Sequence, residues 1–396
     1  MVDGGNAARQ SAKRERKMQI EVFDYSPSHG WGIEPFPPMD SERTLVLAFG
    51  DSAFQDAPAP FAALRSAYPK ARLMGCSTAG EILGTQVRDG TLVVAVARFE
   101  DTRLEMAVAP AGLSNRSKET GIALAEQLAA PDLKGVLVLS DGLHVNGSQL
   151  VDGLNAVLKG SVIVTGGLAG DGDRFRRTWV LDRDRPVART VAALGLYGER
   201  VRIGYGSRGG WDIFGPERRV TRAAGNRLFE LDGRPALHLY KEYLGELAAG
   251  LPATALRFPL ALRADARDEK RLVRTILAVD EEAGSMTFAG DIPEGYLAQL
   301  MRTNLDHLVD GAEDAAVMTR NRGANGERTL AIAISCVGRR MVLGERADEE
   351  VEATLDALPP DTRQVGFYSY GEIAPYASGA CDLHNQTMTL TTIHEV

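Results

Sequence analysis

The sequence predicts an α/β protein of two domains, built from repeated β-α-β-turn-β units whose mixed sheets are covered by helices. Three observations carry this. The segments GCSTAGEI (75–82), TGGLAGD (165–171) and GFYSYGEI (366–373) each join one β-type run to another through a Gly-acid step, which puts Gly80-Glu81, Gly170-Asp171 and Gly371-Glu372 in equivalent places. The steps follow at 36, 35 and 42 residues from apolar runs that start at Thr44, Gly135 and Thr329, a near-constant interval. Each interval holds a stretch of helical apolar spacing, the pattern of one supersecondary unit used three times.

In the first unit, residues 44–49 (TLVLAF) read as a buried strand, 60–68 as a helix and 71–74 as the next strand. After the turn, 91–99 (TLVVAVARF) is a strand, with 103–109 as its expected hairpin partner. Residues 114–130 follow as an amphipathic helix capped by Ser114. The second unit has strands at 135–140 and 161–165 around a helix at 146–158, then strands at 178–181, 187–196 and 201–205. The third has strands at 329–335 and 364–369 around a helix at 349–358, and closes on 385–393 (NQTMTLTTI). A degenerate fourth copy is expected at 285–291 (SMTFAGD), running on into a helix over 296–309. Residues 214–245 break the pattern, charged at first and helical at 235–243. The domain boundary is therefore expected within 215–224, dividing the chain into a disordered basic tail (1–18), an N-terminal domain (19–218) and a C-terminal domain (219–396).

Composition narrows the function. A 44% hydrophobic content fills a core, and a net charge of −8 argues against nucleic acid or an anionic membrane as partner. No apolar run reaches the roughly 20 residues that span a bilayer, and the N-terminus has no secretory apolar region. Cys76, Cys336 and Cys381 are odd in number and far apart, as in a reducing cytoplasm, and no close metal-binding pair of histidines or cysteines occurs.

The glycine turns are not what they first suggest. GGLAGDG (166–172) lacks the G-K-[ST] ending of a phosphate loop and leads into Arg174, Arg176, Arg177 and a strand, where a dinucleotide site needs a helix. GCSTAG (75–80) has one residue too many after Ser77 for a G-x-S-x-G nucleophile elbow. Glu81, Asp171 and Glu372 read either as an acid-base set or as caps of their own turns. Since no nucleophile-base pair stands out, the chain is not expected to be an enzyme.

The motif set resembles the FIST family, with its FIST N and FIST C halves. The residues that carry the resemblance are GCSTAGEI, SDGL (140–143), GGLAGDG, GNRLFELDGRPALHLYKEYLG (225–245), RTNL (302–305), and GFYSYGEIAP followed by LHNQTMTL, in that order over residues 44–395. The resemblance implies a bacterial, cytoplasmic signal-input protein that binds a small-molecule or gas ligand, without an output domain of its own. Within the family the chain is similar to the nitric-oxide-sensing proteins. That similarity implies haem b and a separate partner, a histidine kinase or a diguanylate cyclase/phosphodiesterase; a homo-oligomer is left open.

Haem needs an axial histidine and an apolar pocket. The axial candidates are His144 in SDGLHVNGS, His384 in LHNQT, and His238 in ALHLY, with Arg174, Arg176 and Arg177 as propionate partners. The alternative is a receptor for an amino acid or similar metabolite without haem. Its ligand-binding candidates are Ser77, Glu81, Gly170, Asp171, Arg174, Glu372 and Asn385, at the end of the fold where the Gly-acid turns are expected to converge.

Overall fold

The computed structural model describes residues 18–112, 116–158, 160–268, 271–320, 328–375 and 380–396. The first two strands of each unit pair in parallel around their helix: Thr44–Gly50 with Arg72–Ser77, Leu133–Ser140 with Ile163–Leu168, and Thr329–Cys336 with Thr362–Ser369. The last strand of each unit, Leu92–Arg98, Thr190–Tyr197 or Met388–Glu395, returns antiparallel along the first. Beyond it lies the strand that precedes the unit in the chain: Gln19–Ser26, Arg103–Pro110 or Val201–Arg208.

The fourth component of each sheet comes from a different unit. The hairpin after the first turn, Glu81–Leu83 with Gln86–Arg88, pairs with Thr362–Ser369 of the third unit. The hairpin after the second turn, Val180–Asp182 with Arg185–Val187, joins Arg72–Ser77 of the first. The hairpin of the third, Gly371–Pro375 with Cys381–His384, joins Ile163–Leu168 of the second. Each unit thus hands a hairpin to another, and the exchange closes on itself through three sheets of matching strand order.

Alternation along the strands explains why their sequences are apolar throughout. Leu47 and Phe49, Leu137 and Leu139, and Ile332 and Ile334 meet in one core shared by the three sheets. Val46 and Ala48, Val136 and Val138, and Ala331 and Ala333 face outward into clusters that hold the helices. The aromatic rings of Phe49 and Phe367, 4.8 Å apart, join the first and third sheets across this core.

The helices of the first two units form at Ala59–Ala67 and Gly147–Val157, close to expectation. Asn146 caps the second, its side chain accepting from the Gln149 N–H at 3.1 Å. The third unit has two helices, Val337–Leu343 and Ala347–Asp356, where one was expected. Arg103–Pro110 is not the hairpin partner of Leu92–Arg98: it crosses to the second sheet, where its alternating half-buried pattern suits an edge. The helix that follows is Ser117–Leu128, and its expected cap, Ser114, lies outside the described residues. The expected tail lies outside them too except for Met18, which is buried in the core at the start of the first strand.

Residues 212–302 form a separate lobe inserted between strand Val201–Arg208 and helix Leu305–Arg320. Its eight strands among the described residues pair antiparallel. The strands at the two ends of the main strand order, Leu272–Arg274 and Ile276–Asp280, are joined through Thr275 alone, so the sheet must curl round on itself. Leu228, Leu237, Tyr240, Leu262, Phe288 and Leu300 give the lobe its own core. The expected boundary at 218/219 falls inside the lobe's long strand, Asp212–Ala224. Ser285–Phe288 is a hairpin strand of the lobe rather than a fourth copy. A strand, Leu297–Arg302, and then helix Leu305–Arg320 stand where a helix over 296–309 was expected.

The ends of the lobe are clamped by one buried guanidinium. Arg339 donates to Glu350 at 2.8 Å, to the Gly209 carbonyl at 2.5 Å on the way into the lobe, and to the Leu308 carbonyl at 2.7 Å on the way out. Glu350 also accepts from Ser335 and Tyr368, which completes a buried network. Replacing Arg339 by Met strands the Glu350 charge in the interior and is expected to cost about 3–5 kcal/mol of stability. A denaturant midpoint close to wild type would show that the pair does not hold the lobe's stem.

Candidate functional site

The three Gly-acid turns do meet, and they meet as packed backbone. Gly170 N–H donates to the Ser77 carbonyl at 3.0 Å, Ala79 N–H to the Tyr368 carbonyl at 2.8 Å, and Tyr370 N–H to the Leu168 carbonyl at 3.1 Å. Every pair of turns is therefore bonded directly. A Cβ on Gly170 would lie 2.9 Å from the Ala79 nitrogen, which is why the position takes glycine.

The turn acids serve this packing. Glu81 accepts from the hydroxyl of Thr78 at 2.5 Å, and from the hydroxyl and N–H of Thr91 at 2.8 and 3.1 Å. Glu372 repeats the arrangement with Ser369 at 2.7 Å and with the hydroxyl and N–H of Thr387 at 3.0 and 3.2 Å. Both carboxyls are buried, and burial pushes Glu81 up to about 7 and Glu372 up to about 8 against the pull of their hydrogen bonds. The reading of each acid as the cap of its own turn is the one that the geometry supports.

Asp171 behaves differently. One of its oxygens accepts from the N–H groups of Arg176 and Arg177 at 2.9 and 3.0 Å, and the other accepts from the Tyr370 hydroxyl. It thereby shapes the loop over residues 172–177 and ties it to the third turn. Phe175, at the crest of that loop, has a φ of 50°, which few non-glycine residues adopt. Its ring stacks on Tyr370 at 4.5 Å and 15°.

The stacked pair borders two cavities between the three-unit body and the inserted lobe. The larger, about 380 Å³, lies among Leu251, Leu256, Thr275, Ile276 and helix Val337–Leu343. The smaller, about 330 Å³, lies among His144, Asn146, Asn226, Phe288 and Asp291. Phe175, Tyr370, Leu277 and Ala289 line both. Asn146 from the body donates to Asp291 of the lobe at 2.9 Å, a direct bond across the cleft.

Of the residues expected at the site, only His144 lines either of these two cavities. Its Nδ1 lies 3.1 Å from Asp141, a buried carboxylate that also accepts from the N–H groups of Leu143 and Arg189. Ser77 is buried, its hydroxyl accepting from the Trp179 N–H at 3.0 Å and so fixing the hairpin received from the second unit. Arg174 reaches Asp51 and Ser52, and Arg177 pairs with Asp56 at 2.5 Å; neither is in the lining of the two cleft cavities. Asn385 is buried away from both cavities. His384 is buried with its Nε2 at 3.1 Å from the Ala374 carbonyl, and His238 is exposed on helix Ala236–Leu244. Sequence reasoning missed Phe175 and Tyr370. The signal for Phe175 was a lone aromatic among arginines (RFRR), which has no reason to sit in a merely solvated loop.

The chain matches the FIST N domain over residues 44–234 and the FIST C domain over residues 236–375. It belongs to the FIST family. FIST domains are small-ligand sensory domains of signalling proteins. A similar curated relative is an uncharacterized protein of Methanocaldococcus jannaschii, 24% identical over 354 residues, which cover 79% of this chain and 66% of the relative. This chain thus spans just under two thirds of that relative's length. Among solved structures, a cyanuric acid hydrolase from A. caulinodans aligns at 12% identity and a TM-score of 0.19 over 74% of this chain and 99% of that one, too slight a likeness to carry an argument. No helix among the described residues is long and apolar enough to cross a membrane. The FIST N match ends inside the lobe and the FIST C match begins there, so the cleft is built from both.

The two raised carboxyls give this FIST protein a pH dependence. A carboxyl whose folded pKa lies above its unfolded value near 4.5 binds its proton more tightly when folded. The resulting stability is full at pH 4 and is lost as pH rises through 7 and 8. Stability is expected to fall between pH 5 and 8.5 by an amount on the order of a few kcal/mol. Replacing Glu372 by Gln is expected to flatten that slope; denaturant titrations at several pH values check it, and an unchanged slope would assign the titration elsewhere.

Proposed function

We propose that this chain is a sensor whose ligand binds in the cleft between the three-unit body and the inserted lobe. The observation that carries the reading is the Phe175–Tyr370 stack, which both cavities share. Cavities of this size fall in the range that holds small molecules. Tyr370 belongs to the third turn and is bonded to Asp171 of the second, so a ligand against this pair touches the junction of the units directly.

Helix Val337–Leu343 supplies the second link from cleft to body. Val337, Gly338 and Met341 line the larger cavity. The neighbouring Arg340 donates to the Ala79 carbonyl of the first turn at 2.6 Å and Arg339 clamps the lobe's stem. A ligand that favours one placement of lobe against body then shifts the population of states that a partner reads. A separate histidine kinase or diguanylate cyclase/phosphodiesterase is the proposed partner, tested by its activity with and without ligand-loaded protein.

A thermal-shift screen of small metabolites tests the site. A compound that binds only the folded protein at 100 times its Kd adds about 2.7 kcal/mol. Replacing Phe175, which is exposed at the cleft, by Ala is expected to remove more than half of that compound's shift while leaving the unliganded midpoint near wild type. The full shift in the variant would place the ligand elsewhere.

Haem is a second reading, and the observation in its favour is His144. The imidazole faces the smaller cavity with a carboxylate behind its Nδ1, the support that axial histidines use. Among the described lining residues no arginine or lysine stands ready for propionates. Added haem is expected to give a Soret band that replacement of His144 by Ala abolishes if this reading holds. A band that survives the substitution, or no band, counts against it.

A further inference from the structure

We propose that the larger cavity takes a neutral, mostly hydrophobic molecule whose one hydrogen-bonding group sits on the Thr275 hydroxyl. The inference rests on the cleft being the ligand site and names the chemistry of what enters it. Leu251, Leu256, Ile276, Leu277, Val337 and Met341 make the wall almost wholly apolar. Among the described residues the lining holds no lysine or arginine, and its one carboxylate, Asp173, is on the exposed rim. Cys336 is buried, and burial raises its pKa so that the thiol stays neutral. A carboxylate or a zwitterion in this cavity would be desolvated without a counter-charge, which strongly disfavours it. That argues against the amino acid of the alternative, haem-free reading in this half of the cleft.

Thr275 supplies the specific point of contact. It is the single residue that joins the two ends of the lobe's curled sheet, it is 4% exposed, and it lines the cavity. Its hydroxyl has no hydrogen-bond partner among the described residues. That oxygen has almost no accessible surface with the cavity empty, so a turn of the side chain about its Cα–Cβ bond must bring it to the cavity wall, where a ligand amide, ketone or hydroxyl would relieve the cost of an unpartnered buried hydroxyl. The mouth agrees with the wall. Phe175, Leu277 and Met341 are 45%, 44% and 41% exposed and border the same opening. Large apolar side chains left in water around one cavity mark a surface that something apolar covers.

The smaller cavity, with His144, Asn146 and Asp291, is the polar half of the cleft and gives the contrast that the experiment needs. The full chain is titrated with N-phenyl-1-naphthylamine, a neutral fluorescent probe, and the probe is competed with decanamide, decanoate and leucine. One equivalent is expected to bind saturably. Decanamide displaces it, while decanoate and leucine are weaker by roughly tenfold or more, for want of a counter-charge. Replacing Thr275 by Val, a near-isosteric change, is expected to weaken decanamide about three- to tenfold, the worth of one hydrogen bond, and to leave the probe unaffected. Replacing the exposed Ala253 at the cavity wall by Trp blocks both.

Equal competition by decanoate, or wild-type affinity for decanamide in the Thr275→Val variant, overturns the ligand class. If leucine alone binds and replacing Asn146 by Ala abolishes it, the class fails while the cleft stands. If no compound responds to any substitution in either cavity, the cleft itself fails as the site.

Discussion

Each unit of this protein completes its sheet with a hairpin that belongs to another unit, and most of the architecture follows from that exchange. A unit deprived of its neighbours would leave the second strand of its parallel pair as an open edge and its inner face without the shared core. The hairpins leave their own units through the Gly-acid turns, so the turns have to cross at the centre, close enough for backbone to bond backbone. That closeness selects glycine, buries the acids, and turns Glu81 and Glu372 into caps. Residues that look chemically available along the chain are used up by the crossing.

The site arises where the exchange stops being symmetrical. Only the third unit carries a lobe ahead of it, and only the second turn uses an aspartate, too short to repeat the cap made by the glutamates. Asp171 instead orders the loop that lifts Phe175 onto Tyr370. The same third unit has an extra helix, Val337–Leu343, whose two arginines grip the stem of the lobe and the first turn. The cleft is thus lined by the departures from the repeat, while the repeat supplies a rigid frame behind it.

This division explains what could be read from the residues alone. The strands and helices of the three units were legible because their apolar runs and helical spacing are local: residues 44–49, 135–140 and 329–335 lie within the observed strands. The convergence of the turns was legible from their equivalence. The exchange was not, since a hairpin such as Glu81–Leu83 carries no mark of the strand, nearly 300 residues on, that it will join. The lobe was misread because SMTFAGD has the look of the turns without a parallel strand pair before it. Ser77, Glu372 and Asn385 were chosen for their chemistry, and burial has already assigned the first two to the frame. Phe175 is marked along the chain only as an aromatic among arginines and Thr275 not at all; their interest comes from a left-handed backbone and an unpartnered hydroxyl, which exist only in the folded chain.

The central claim is that ligand is held in the cleft and felt at the junction of the turns. Hydrogen exchange measured on the full chain, with and without the compound that stabilises it most, tests this directly. Protection is expected over residues 172–177, 251–256, 275–277 and 337–341, on both sides of the cleft, with a smaller gain at 368–371. Protection confined to the lobe's outer hairpins, or to the first unit around 44–67, would contradict the account.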